Sequence, residues 1–161
     1  SIAYQGGIYG NTVNGSSEEL SSFEYEFDGF GVGGGLSYDV YRGYKISVGA
    51  QGYQNSRAPE GQKEARAFIL GAELPFGKDL IVKPRWEQYF AEADVAPAYY
   101  GEMMYGRANR EGNVYRLDFA FPESDFKVST YYSEASPLIE TPTQSQQKYL
   151  GFLFEATLKG F

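Results

Sequence analysis

Eight stretches of this chain alternate between apolar and polar residues, as a β-strand with one apolar face does. The gaps after the first, third, fifth and seventh stretches are long and polar, and those after the second, fourth and sixth are tight turns. No helical period of 3.6 residues is present. The pattern predicts one all-β domain over residues 1–161, an antiparallel up-and-down arrangement of eight strands. The strands are expected at about 2–10, 23–40, 44–53, 64–74, 80–90, 113–121, 126–132 and 148–158.

Local irregularities are expected at three places. The alternation slips by one residue at Asp28-Gly29, which indicates a β-bulge. Tyr41, Arg42 and Gly43 are predicted to form a three-residue loop with Gly43 in the left-handed conformation. Pro84 lies inside the fifth strand and cannot donate to a ladder, so a bulge or locally broken pairing is expected there.

The face opposite the apolar one carries balanced charge. Asp39 falls opposite Lys45 across the first tight turn, and diagonal pairs are expected across the other two. Ten charged residues share this face, namely Asp39, Lys45, Glu73, Lys83, Arg85, Glu87, Arg116, Asp118, Lys127 and Glu155. A solvated surface needs no such balance, whereas a narrow interior does, because unpaired charges removed from water are costly. The alternation also fits a soluble barrel with its apolar face inward.

The charge balance favours apolar side chains facing lipid and charged side chains facing a lumen. Together with two unlike rims, this predicts an eight-stranded antiparallel transmembrane β-barrel in a bacterial outer membrane, with four long extracellular loops and three short periplasmic turns. Two aromatic girdles are expected. One contains Tyr38, Tyr41, Tyr44, Phe76, Phe121 and Phe126, and the other Trp86, Phe90 and Tyr132, with Phe23 and Tyr25 as further candidates.

In this arrangement the chain resembles the small eight-stranded outer-membrane barrels of Gram-negative bacteria, the group that contains the OmpA membrane domain, OmpX and NspA. The resemblance covers the whole chain as topology and rests on no sequence motif. It implies an aromatic C-terminal residue that is read by the barrel assembly machinery, and Phe161 matches it. Leu158, Ala156 and Phe154 are out of phase with Phe161.

Composition excludes several function classes. The 161 residues include no cysteine and no histidine, which removes the Ser-His-Asp triad, the Cys-His pair and nearly all zinc, copper and haem ligation. A net charge of −7 without a basic stripe argues against nucleic acid. No apolar run approaches the roughly 20 residues of a membrane helix. No cofactor is expected.

A glycine track lies on the charged face of the second strand, at Gly29, Gly31, Gly33 and Gly35. It matches G-x-G-x-x-G, but a dinucleotide-binding fingerprint must open a helix, and a strand follows here. Two interpretations stay open. Bulky neighbours such as Tyr53, Arg85 or Tyr131 fill the space, or it remains a slot for a small solute.

Other candidate chemistry is electrostatic. The carboxylates Glu73, Glu87, Asp118 and Glu155 could serve as a general acid and base, but a charge network that packs the interior is the favoured interpretation. Acidic residues of the first long loop are candidate ligands for divalent cations. Five basic residues in or near long loops are candidate contacts for lipopolysaccharide phosphates, namely Arg57, Lys63, Arg66, Arg107 and Arg110.

Three functions follow, in order of preference. The first is a non-enzymatic surface protein whose loops interact with lipopolysaccharide, ions or protein partners. The second is a narrow porin-like channel for small solutes. The third is a lipid-modifying enzyme of the outer leaflet, which the absence of histidine disfavours.

Overall fold

A computed structural model describes residues 13–14, 22–95, 108–124, 126–140 and 144–156 of the chain. These ranges contain β-strands and no helix. The strands are β1 (Val13–Asn14), β2 (Ser22–Phe23), β3 (Gly29–Tyr41), β4 (Tyr44–Asn55), β5 (Glu64–Phe76), β6 (Leu80–Ala91), β7 (Arg110–Phe121), β8 (Phe126–Pro137) and β9 (Gln147–Ala156). Within the described ranges, no helix is long and apolar enough to cross a membrane.

Strands β3 to β9 form one sheet in which each strand pairs antiparallel with the next along the chain. β1 and β2 form a separate two-stranded sheet. The predicted all-β, antiparallel, up-and-down order is confirmed for these seven strands. The first predicted strand, 2–10, lies outside the described residues. β3 and β9 are the two edges of the sheet as described.

Several strands extend further toward the long loops than the alternation predicted. β8 continues to Pro137 where an end at 132 was predicted, and β7 begins at Arg110 instead of 113. Polar residues such as Ser133 and Ser136 pair in register with residues of β7. Ladder hydrogen bonds join backbone groups and need no apolar side chain, so a hydrophobic pattern underestimates strand length.

The predicted second strand, 23–40, is wrong at its beginning. β3 begins at Gly29, residues 24–28 contain no strand, and the register with β4 runs unbroken from Gly29 to Asp39. The predicted bulge at Asp28-Gly29 is therefore absent, and the register shifts instead between Asp39 and Tyr41. The cause lies outside the segment, because Asn55 binds the backbone of Asp28 and Glu26 and holds this stretch off the sheet.

The first tight turn is shorter than predicted. Tyr41 pairs with Tyr44, which leaves a two-residue turn of Arg42 and Gly43. Both have positive φ, 47° and 86°, as a hairpin turn of the I′ type requires. The left-handed conformation of Gly43 is confirmed, and Arg42 shares it.

Pro84 interrupts its ladder as predicted. The pairing of β5 with β6 stops after Gly71–Arg85 and resumes at Leu74–Val82 in the same register. Pairing of β6 with β7 continues through Pro84 and Leu117. The interruption is thus a local loss of pairing and not a bulge, because no residue is gained or lost on either strand.

The two faces of the sheet differ in burial. On the inner strands the apolar face carries Phe68, Leu70 and Tyr115, which are 40%, 41% and 46% exposed. The polar face, which carries the ten predicted charged residues, buries Glu87 and Ser129, together with a small cluster of Tyr89, Val114 and Ala135. This distribution is the reverse of that expected for a sheet folded in water.

Candidate functional site

Charges of alternating sign form a row across five strands of the polar face. Asp39 is the register partner of Lys45, Lys45 of Glu73, and Lys83 of Asp118. Where the ladder is interrupted beside Pro84, Lys83 Nζ contacts Glu73 Oε1 at 3.1 Å. Each charge therefore has an opposite charge on a neighbouring strand. We call these five residues, Asp39, Lys45, Glu73, Lys83 and Asp118, the charge row. Asp39 and Lys45 are the exception in contact distance, since among the described residues no ion pair joins them within 4.0 Å.

Two arginines lie side by side next to the charge row. Arg85 and Arg116 are register partners, and each is bound by the carboxylate two residues ahead on its own strand. Arg85 Nη2 donates to Glu87 Oε2 at 2.8 Å, and Arg116 Nε donates to Asp118 Oδ1 at 2.7 Å. Like charges that face each other across a ladder repel, so these carboxylates make the arrangement tolerable.

Lys127 connects the last two strands to this network. Its Nζ lies 3.7 Å from Asp118 Oδ2 and 2.9 Å from Glu155 Oε2. The structure thus brings eight of the ten predicted charged residues into ion pairs. Glu87 is the most deeply placed of them, at 2% exposure, and the others are partly exposed.

The glycine track packs against β4. A Cβ added at Gly31 would stand 3.2 Å from the Tyr53 ring, and one at Gly33 would stand 3.1 Å from Gln51 Cβ. Tyr53 therefore occupies the space beside Gly31. Tyr131 lies over a glycine that the sequence analysis did not single out, Gly151, its register partner on β9.

A buried asparagine organises the long-loop end, and the sequence analysis missed it. The Asn55 side chain is fully buried and makes four hydrogen bonds. Nδ2 donates to the carbonyls of Glu26 at 3.0 Å and Asp94 at 2.7 Å, while Oδ1 accepts from the amides of Asp28 and Arg57, each at 3.1 Å. Both donors and both lone pairs are used, so one side chain joins three loop segments.

A second buried asparagine does the same between the third and fourth long loops. Asn109 has a φ of 56°, which asparagine tolerates better than most residues. Its Nδ2 donates to the Ile139 carbonyl at 2.9 Å and to Gln144 Oε1, and its Oδ1 accepts from the Ile139 amide at 3.0 Å. The described loop segments are therefore held together by side-chain bonds to backbone.

The five basic candidates for lipid phosphate are placed differently from one another. Arg57 lies 3.6 Å from Asp28, Lys63 pairs with Glu60, and Arg107 lies outside the described residues. Arg110 is buried at 1% exposure and donates to the Ser145 carbonyl, which removes it from the surface contacts. Arg66 is exposed on the apolar face, with its guanidinium 4.9 Å from the Phe90 ring centre.

On the apolar face of β6 to β8, an aromatic row precedes a level of polar side chains, while Phe68 on β5 and Phe90 on β6 lie beyond the row toward the long loops. Trp86 and Tyr115 are register partners, as are Tyr115 and Tyr132, and the two tyrosine rings stack at 6.3 Å. The next side chains on the same face are polar, namely Gln88, Asn113, Glu134 and Lys148. Trp86 Nε1 donates to Asn113 Oδ1 at 3.1 Å across this boundary. At the turn end, Phe121 and Phe126 stack at 5.9 Å.

Among the residues described, no group of three or more acidic side chains is arranged to hold a metal ion. Comparison of the chain with protein family models, curated proteins and solved structures gives no match.

Proposed function

We propose that this protein is an outer-membrane β-barrel of eight strands, in which the segment 2–10 completes the wall between β3 and β9. The observation that supports this most directly is the reversed burial, with leucine and phenylalanine exposed on one face while Glu87 and Ser129 are buried on the other. In water such a sheet would expose a large apolar area, whereas in a bilayer the same face contacts acyl chains. Strands of 10–13 residues match the length a membrane-spanning strand needs.

Two further observations support the membrane assignment. The aromatic row of Trp86, Tyr115 and Tyr132 is followed at once by polar side chains, as expected at a membrane interface. The ion pairs of the polar face balance acids with bases, as a narrow interior requires.

The role we propose is that of a non-enzymatic surface protein. Asn55 and Asn109 hold the long-loop segments in a defined arrangement, which is the preorganisation that a recognition surface needs. The polar face is packed by ion pairs and by the cluster of Tyr89, Val114 and Ala135. We therefore expect a sealed barrel that gives no single-channel conductance in planar bilayers. Stable conductance steps would favour the channel instead.

The membrane assignment can be tested with Trp86, which is the only tryptophan in the chain. In liposomes containing lipids brominated near the carbonyl end of the acyl chain, Trp86 emission should be strongly quenched, and aqueous acrylamide should quench it little. The matched control moves the reporter to a tight turn with Trp86→Phe and Lys78→Trp. Lys78 is 79% exposed, so the pattern of quenching should reverse.

The assignment fails if Trp86 is quenched by acrylamide and unaffected by brominated lipid. It also fails if the refolded protein stays monodisperse in buffer without detergent, because a sheet with this apolar face exposed to water would aggregate.

A further inference from the structure

Two grooves lie one above the other on the apolar face, the upper one lined mainly by residues of β4 to β8 and the lower one by residues of β5 to β9. The upper groove has a volume of about 670 Å³ and the lower one about 510 Å³. Most residues that line the upper groove have side chains on the apolar face, among them Gln88, Asn113 and Glu134, and the residues between them in sequence, such as Tyr89 and Gly112, line it as well. The groove is therefore open to the exterior side of the sheet. Both volumes lie in the range of small-molecule sites.

The upper groove has the chemistry of a polar headgroup site. Its lining includes amides, carboxylates, a cation and aromatic rings, among them Gln88, Asn113, Glu134, Arg66 and Phe90. Amides and carboxylates bond hydroxyl groups in pairs, aromatic faces cover apolar patches, and arginine binds phosphate. Carboxylates would repel a headgroup that offered phosphate alone, so the mixture favours a ligand that is rich in hydroxyls and also anionic.

The lower groove is apolar and lies inside the proposed membrane region. Ala72, Pro84 and Thr130 are its small lining residues, and Trp86 and Tyr132 stand at its border with the upper groove. These small side chains lie on β5, β6 and β8, with Leu117 on β7 between Pro84 and Thr130 in register, and they leave a hollow in a face otherwise built of leucine and aromatic residues. An acyl chain would fill such a hollow.

We propose that the two grooves together bind one outer-leaflet lipid with a phosphorylated saccharide headgroup, the sugar in the upper groove and one acyl chain in the lower. Arg66 supplies a cation for the phosphate, and exposed Lys148 lies beside Glu134 in register at the upper level. This inference rests on the membrane assignment above and adds a defined site on the barrel wall, separate from the loops.

The experiment uses the whole chain refolded in detergent micelles, with native mass spectrometry to count retained lipid. The probes are diphosphorylated lipid A and, for comparison, phosphatidylglycerol. We expect one lipid A to be retained at concentrations where phosphatidylglycerol is lost. The double variant Gln88→Ala, Asn113→Ala should bind lipid A about tenfold more weakly, because it loses two hydrogen-bonding groups of the site.

A second variant tests the apolar half without removing a polar contact. Thr130→Phe fills the lower groove and should also weaken retention about tenfold. Its matched control is Val128→Phe, one step along the same face of β8 and outside the groove. Gln54→Ala is the control for the double variant of Gln88 and Asn113. Gln54 lies on β4, its side chain is on the same face of the sheet, and it does not line the groove.

The outcomes separate this inference from the membrane assignment. If Trp86 is quenched by brominated lipid but lipid A is retained equally by groove and control variants, the lipid site is wrong and the barrel stands. Equal retention of phosphatidylglycerol overturns the saccharide specificity. If Trp86 is not quenched, both proposals fail.

Discussion

At the scale of single residues, the structure depends most on side chains that bind backbone. Asn55 binds Arg57 in its own loop, and it joins this loop to Glu26 and Asp28 on one side and to Asp94 on the other. No apolar pattern reveals such a residue, because its partners are backbone groups that every residue carries. The sequence analysis therefore found the strands and missed the bonds that order the loops.

Replacing Asn55 with alanine should destabilise the long-loop end. Four backbone groups would lose their partner, one in a buried hydrogen bond and three in partly buried ones, and a fully buried loss costs about 1–3 kcal/mol. We expect a net loss of about 3 kcal/mol in the free energy of unfolding, measured by denaturant titration in detergent, and faster proteolysis within residues 56–63. Gln54→Ala, next to it on the exterior side, should change neither quantity. Unchanged proteolysis in Asn55→Ala would contradict the role assigned to it.

Gly112 and Gly34 provide a matched pair of glycines within strands. A Cβ added at Gly112 would overlap the Glu134 carbonyl oxygen, whereas one added at Gly34 meets nothing within 4 Å. Gly112→Ala should therefore lower the free energy of unfolding by about 1–3 kcal/mol through backbone displacement. Gly34→Ala should be neutral or slightly stabilising, because alanine reduces the freedom of the unfolded chain. Equal effects in both variants would show that the backbone contact at Gly112 relaxes without cost.

At the scale of elements, hairpins were predictable and the long loops were not. Alternation located β4 to β9 because each strand has one apolar face, and proline located the interruption at Pro84. The error at 24–28 arose because Phe23, Tyr25 and Phe27 alternate like a strand while a tertiary contact with Asn55 holds the segment elsewhere. Local pattern cannot register such a contact.

The ion pair beside Pro84 gives a prediction at this scale. Glu73→Lys would place three cations on neighbouring strands of the charge row, with Lys45 and Lys83 as the other two. Both partners are partly exposed, so we expect a modest loss of about 1 kcal/mol in the free energy of unfolding. The exchange Glu73→Lys with Lys83→Glu should recover part of this loss in a double-mutant cycle. A purely additive cycle would show that the pair is not coupled.

At the scale of the whole molecule, the charged candidates were predictable as a set, because period two places them on one face. Their partners were predictable near the tight turns, where register is fixed, and less so elsewhere. Arg110 is a residue whose position could not be predicted from the alternation. The sequence places it in a loop, but β7 extends to include it and turns it toward the polar face.

The proposed orientation in a membrane can be tested because the chain has no cysteine. Single variants Lys78→Cys in a tight turn and Glu60→Cys in a long loop lie at opposite rims, and both side chains are highly exposed. On intact cells, a membrane-impermeant maleimide should label Glu60→Cys and leave Lys78→Cys unlabelled until the outer membrane is permeabilised. Labelling of both on intact cells would contradict opposite-sided rims, and labelling of Lys78→Cys alone would reverse the topology.

The charge row has a consequence for how the strands find one another. Displacing a strand by one residue is opposed by the apolar pattern, because every side chain would change face. Displacement by two residues keeps the faces and would move Lys45 from Glu73 to Gly71 or Pro75, which offer it no counter-charge. The ionic pattern therefore discriminates among alignments that hydrophobicity alone treats as equivalent.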